Sequence, residues 1–340
     1  MREYPEGQSQ VEDGEVASSL EVPTISLDGD PVVVAREIDA TLREVGFFQV
    51  IDHGVDDVVA DACWEAARVF FDLPFESKLA VERPSGGLYG YFPMKSESLA
   101  QSVAGAAPGD LKESFNMGPG VVAGHVPADE TEASLFSPNP WPAHPANLRT
   151  AWEAYYAAMS QLSTRLMSLF ALGLDLPADF FAEKIDVGPS ALRAINYPEL
   201  PVPPDEGQLR AGAHTDYGTL TILRQELGRA GLQAHDEKSA AWIPIPPVEG
   251  ALVINIGDLM ARWTNDRWTS TVHRVVNPDS GSTVSTRRQS MPFFHNANYS
   301  TIVECLPSCL RDGEAARYKP VLAGPHLAGK SAKAIIAESS

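Results

Sequence analysis

Trp152, Tyr155, Met159, Leu162, Leu166 and Phe170 recur at spacings of three and four along residues 148–173. That stripe predicts a long helix with one buried face. Val34, Ile38 and Leu42 repeat the period within residues 31–45, and a further helix is expected at 56–71. An extended run at 22–27 precedes them, and Gly46-Phe47-Phe48-Gln49-Val50-Ile51 reads as a strand ended by the turn Asp52-His53-Gly54. This opening predicts a mixed α/β N-terminal region. After Ser190 the texture changes to short β-rich runs at 191–197, 219–224, 241–245, 251–256, 271–276, 283–288 and 290–295. Several short strands at such spacing predict a β-sandwich or barrel. Residues 83–148 are rich in Gly, Pro and Ser and lack a period, so they predict a loop-heavy segment. The acidic residues 1–20 are expected to form a frayed tail, and 323–340 a helix or a loose tail.

Composition narrows the partners. Of 340 residues, 44% are hydrophobic and 21% charged, an ordinary balance for a globular protein. The net charge of −19 argues against nucleic acid, which demands a basic footprint, and against anionic membrane surfaces. A small-molecule substrate is the expected partner, and the oligomeric state is not readable. No apolar run reaches the roughly 18 residues of a membrane span. The start of the chain lacks the basic and apolar regions of a signal peptide. Cys63, Cys305 and Cys309 are too few and scattered for a disulfide framework. Reduced thiols and a cytoplasmic location are expected.

The chemistry is written in His214-Thr215-Asp216, followed by the apolar run Leu220–Leu223, with His273 inside Ser270-Thr271-Val272-His273-Arg274-Val275. Residues two apart on a strand face the same side, so His214 and Asp216 can converge on one ion. Two histidines and one carboxylate hold Fe(II) on one face and leave other positions open. A rival His-x-acid pair, His235 with Glu237, sits in a polar stretch and is expected to be a solvated loop.

Beyond these residues the chain resembles, over roughly 22–310, the iron(II)/2-oxoglutarate-dependent oxygenases of the isopenicillin N synthase-like group. The resemblance rests on Gly46–Val50 with Asp52-His53-Gly54-Val55, then Gly90-Tyr91 and Asp110-Leu111-Lys112-Glu113-Ser114-Phe115. It continues through Asn196-Tyr197-Pro198, the segment around His214, Gly231-Leu232-Gln233 and Ile254-Asn255-Ile256-Gly257-Asp258, and ends at Arg288-Gln289-Ser290-Met291-Pro292-Phe293-Phe294. It implies a mainly β core, a double-stranded β-helix (jelly roll), with flanking α-helices. It also implies Fe(II), 2-oxoglutarate and O2, with His214, Asp216 and His273 as iron ligands. Arg288 and Ser290 match the pair that grips the distal carboxylate of 2-oxoglutarate, and Tyr197 a tyrosine that contacts the same cosubstrate. A guanidinium can hold a carboxylate bidentately. The neighbouring Arg287 introduces some ambiguity of register, which Ser290-Met291-Pro292-Phe293-Phe294 resolves in favour of Arg288.

The expected organisation is a tail at 1–20, an N-terminal oxygenase region at 21–120, a connecting loop and long helix at 121–189, a catalytic core at 190–310 and a C-terminal extension at 311–340. The expected reaction is hydroxylation of an unactivated C–H bond of a small specialised metabolite, with succinate and CO2 as co-products. Asp216 occupies the position that halogenases leave vacant, which argues against halogenation. An oxidase that uses no 2-oxoglutarate is the alternative, and a non-catalytic jelly-roll binding protein the remote one. Tyr89, Tyr91, Phe115 and Phe294 are expected in the substrate pocket. The linker Asn277–Ser285 is longer than usual for the family.

Overall fold

The computed structural model describes residues 21–101, 107–200, 202–278, 285–311 and 313–336. The expected tail and most of the long linker, residues 279–284, lie outside them. Fourteen strands are formed among the described residues. They are β1 (Thr24–Ser26), β2 (Phe47–Ile51), β3 (Gly90–Phe92), β4 (Glu113–Met117), β5 (Ala191–Tyr197), β6 (Ala211–His214) and β7 (Leu220–Gln225). The rest are β8 (Leu232–Asp236), β9 (Ala241–Pro244), β10 (Leu252–Ile256), β11 (His273–Val275), β12 (Arg288–His295), β13 (Ile302–Val303) and β14 (Val321–Leu322).

Eight strands form one mixed sheet in the order β1-β2-β10-β7-β12-β5-β4-β3, and four form a second in the order β6-β11-β8-β9. The two sheets make the jelly roll. Period-2 alternation sorts each inner strand between two cores. Leu192 and Ala194 of β5, Leu220 and Ile222 of β7, Ile254 of β10 and Phe293 of β12 face the helices, among them Leu148–Gly173. Ile195 and Tyr197 of β5 and Val253 of β10 face the second sheet instead, against Leu232, Ala234 and Val275. The polar residues of the same inward rows, Arg193, Asn255, Arg288 and Ser290, line the cavity between the sheets.

The long helix and the helices Pro31–Leu42 and Asp57–Phe71 form close to where their apolar periods predict. Asp30 and Asp56 cap the latter two, accepting from backbone N–H groups of the first turn. Three expectations need correction. The segment 83–148 contains β3 and β4, which extend the main sheet through pairing with β5. The strand expected at 283–288 is absent from its described residues 285–287, and Arg288 instead opens β12. His235 lies on β8, not in a loop, because it pairs with Trp242 of β9 and meets its indole edge-on with ring centroids 5.0 Å apart. The C-terminal stretch forms the helix Ala323–Ala334.

Candidate active site

His214 closes β6, Asp216 follows two residues later, and His273 opens β11 directly opposite His214. The antiparallel pairing of β6 with β11 brings the distant histidine into place, with ring centroids 4.3 Å apart. Asp216 Oδ1 lies 4.0 Å from His214 Nε2 and 3.7 Å from His273 Nε2. One donor atom from each residue falls within 4.8 Å of the others, and all three side chains are buried. Asp216 is past the end of β6, so the loop to β7, not strand alternation alone, turns its carboxylate inward.

Surrounding groups orient these donors. His214 Nδ1 is 2.7 Å from the Gly212 carbonyl and His273 Nδ1 is 3.0 Å from that of Thr271. A carbonyl only accepts, so each Nδ1 carries the proton and each Nε2 offers a lone pair. Asp216 Oδ2 accepts from Asn255 Nδ2 at 2.7 Å and from the Thr221 hydroxyl, which leaves Oδ1 for an ion. Burial, reinforced by His273, pushes His214 down to about 3. Burial works against the Asp216 carboxylate, but the two histidines, Asn255 and Thr221 outweigh it and hold its pKa below the usual range. Neutral imidazoles and an ionised carboxylate are the states that a metal requires. The donor set fits Fe(II) with open positions.

Next to this cluster stands a buried charge without a counter-ion. Arg288 is 1% exposed. Its acceptors are neutral, Gln225 Oε1 at 3.3 Å and the Arg229 carbonyl at 3.4 Å, and Nη1 has no hydrogen-bond partner. Arg210 is also buried, and its pKa is pushed down to about 10 by burial and then by Arg288. Two such guanidiniums around the Tyr197 ring, 5.0 and 5.7 Å from its centroid, call for an anionic ligand, since an uncompensated buried charge is costly. Arg287 does the opposite, turning outward to Asp72. The dicarboxylate 2-oxoglutarate fits this environment.

The other predicted residues divide. Tyr89, Tyr197, Ser290 and Phe294 line the cavity with the triad. Tyr89 packs so closely on Gly118 that a Cβ there would lie 2.0 Å from its ring. Phe115 and Tyr91 do not line the cavity. Phe115 faces the helical core, edge-on to Trp152 at 5.2 Å, and Tyr91 donates its hydroxyl to Glu113. Alternation explains the difference, because Ser114 and Asn116 take the inward positions of β4. Sequence reasoning assigned no role to Arg193, Glu97, Asn116 or Lys112, which also line the cavity. For Asn116 and Arg193 the signal was alternation along β4 and β5, readable only once β4 is known to be a strand; Glu97 and Lys112 lie outside both strands and carried no such signal.

Residues 22–144 match the family described as the non-haem dioxygenase in morphine synthesis N-terminal domain, and residues 189–297 match the 2OG-Fe(II) oxygenase superfamily. The chain is 36% identical to the Emericella nidulans 2-oxoglutarate-Fe(II) type oxidoreductase hxnY over 293 residues, covering 85% of this chain and 81% of that one. It is 36% identical to the validamycin A dioxygenase of Streptomyces hygroscopicus subsp. limoneus, covering 78% and 72%. Among solved structures, a full-length Neurospora crassa protein in complex with alpha-KG and thymine superposes with a TM-score of 0.79 at 30% identity, covering 93% and 98%. With the triad, the uncompensated arginine and the jelly roll already in place, the chain belongs to the 2OG-Fe(II) oxygenase superfamily, and it is an oxidoreductase that uses Fe(II), 2-oxoglutarate and oxygen.

Proposed function

We propose that His214, Asp216 and His273 are the iron ligands, that Arg288 and Ser290 receive the distal carboxylate of 2-oxoglutarate beside Tyr197, and that the enzyme hydroxylates an unactivated C–H bond of a small metabolite. Loaded with iron and cosubstrate, such a site supplies an oxidant for C–H cleavage, with succinate and CO2 as co-products. The chain's own residues bind and orient. Asn255 and Thr221 hold Asp216 in register, and the carbonyls of Gly212 and Thr271 hold the imidazoles. Phe47 packs edge-on against His273 at 5.3 Å and helps exclude water. The cavity, about 190 Å³, suits a small molecule. Relatives act on small molecules too, the rice and Arabidopsis proteins being named homoarginine-6-hydroxylases.

The observation that carries this reading is the buried, uncompensated Arg288 next to the triad. It favours a 2-oxoglutarate-dependent enzyme over an oxidase that dispenses with the cosubstrate. Anaerobic addition of Fe(II) and 2-oxoglutarate tests it. A weak visible charge-transfer band is expected in the native enzyme and not in Arg288→Ala. An iron-loaded protein without the band would reassign Arg288 to the substrate.

A further inference from the structure

We propose that Arg193, Glu97 and Asn116 form a charge-neutral substrate anchor, and that the substrate it selects is an uncharged molecule bearing a cyclic-amide edge, a carbonyl beside an N–H. This rests on the iron and 2-oxoglutarate assignments above and adds the substrate class.

Charge bookkeeping comes first. Three buried cations line the cavity among the described residues, Lys112, Arg193 and Arg288. Lys112 Nζ is paired with Asp110 at 2.7 Å, and Arg193 Nη2 with Glu97. Only Arg288 lacks a carboxylate. Iron with Asp216 leaves one positive charge, Arg288 and the buried Arg210 behind Tyr197 add one each, and the two carboxylates of 2-oxoglutarate offset two of these, all at the iron and cosubstrate end. The Arg193 end, its charge cancelled by Glu97, is neutral, and a charged substrate group placed there would be an uncompensated ion at a large desolvation cost.

Hydrogen-bonding capacity defines the class further. Asn116 and Arg193 are direct cross-strand partners on β4 and β5, so their side chains share one face. Glu97 and Ser114 occupy Arg193 Nη2, yet its Nε–H is buried without an acceptor. Asn116 donates Nδ2–H to the Leu88 carbonyl at 3.2 Å, which fixes the amide orientation and leaves Oδ1 as a buried acceptor without a donor. A donor and an acceptor left open on neighbouring strands complement a carbonyl and an N–H on one edge of a ligand, and buried polar groups demand partners. Arg193 sits four residues from Tyr197 along β5, roughly 13 Å at strand rise. The anchor is thus at the opposite end of the strand from the cosubstrate's arginine, with Phe294 on the adjacent wall.

The test uses the anaerobic Fe(II)·2-oxoglutarate enzyme and calorimetric titration with two sets of probes. The first set is uncharged cyclic amides, namely uracil, hydantoin and 2-piperidone. The second is the carboxylates orotate, nicotinate and benzoate. The expected result is that at least one amide binds more tightly than every carboxylate, and that Asn116→Leu weakens it about tenfold, the worth of one hydrogen bond. Glu97→Gln, nearly isosteric, releases the Arg193 charge and is expected to invert the order, so that a carboxylate gains at least tenfold. A purely structural ion pair would leave the order unchanged. Carboxylates preferred by the native enzyme, binding by neither set, or no inversion in Glu97→Gln would each overturn the proposal. The charge-transfer band is read in the same samples. Its loss in the native enzyme would condemn the iron and cosubstrate assignments, whereas an intact band with the wrong order condemns only the anchor.

Discussion

Arg288 lies directly opposite Tyr197 in the β5–β12 ladder, and its guanidinium sits 5.0 Å from the centre of the tyrosine ring. The pairing locks a long cation in one place before any ligand arrives. Arg288→Ala should raise the KM for 2-oxoglutarate by about 100-fold or more, as expected for a lost charge-assisted contact. Arg287→Ala, which loses an outward pair with Asp72 and a hydrogen bond to Asn196 Oδ1 at 2.9 Å, should stay within about twofold. Steady-state titration of the cosubstrate by succinate release reads both, and equal effects would undo the distinction.

Asn255 donates to Asp216 from β10. Removing it in Asn255→Leu should weaken Fe(II) binding by about 10–100-fold, the usual cost of losing an outer-shell partner. His235→Ala should leave iron stoichiometry at the native value, since that ring packs edge-on against Trp242 on the second sheet, away from the triad. Competition with a coloured chelator measures both, and normal affinity in Asn255→Leu would show that Thr221 alone suffices.

His295 is buried beside the Thr219 hydroxyl, 2.7 Å from its Nδ1, and burial pushes its pKa down to about 4 from an ordinary 6.5. Between those values the unfolded chain takes up a proton that the folded chain refuses. Stability is therefore complete above pH 6.5 and declines as pH falls toward 4, by up to about 3 kcal/mol for this group. His214 adds in the same sense in metal-free protein. Denaturant titrations of metal-free protein across that window should show a shallower decline in His295→Gln. An unaltered slope would mean that His295 protonates without unfolding.

Trp152 is fully buried on the long helix and meets Phe115 of β4 edge-on. Trp152→Ala should cost about 3–5 kcal/mol, roughly ten degrees in Tm. A calorimetric scan checks it, and a change of only a degree or two would mean that this helix–sheet contact is not central to the fold.

What the chain determines by itself is local or carried by spacing. The stripe from Trp152 to Phe170 specifies a buried helix because 3.6-residue periodicity needs no knowledge of its partner. His214, Asp216 and His273 stand out as a candidate cluster because their residue types and spacing restrict the chemistry, whereas Arg288 and Ser290 are singled out through the family resemblance. Tertiary structure decided the rest. Phe115 and Asn116 are adjacent in sequence, yet β4 sends one to the helical core and the other to the cavity. A one-residue difference reverses the face of a strand, and no period marks β4 inside its Gly- and Pro-rich surroundings. His273 meets His214 through long-range pairing of β11 with β6. Glu97 and Arg193 lie 96 residues apart and meet as a buried pair that neutralises one end of the cavity. Local propensity cannot specify such a contact, because the free energy that holds two charges together comes from the fold that removes both from water.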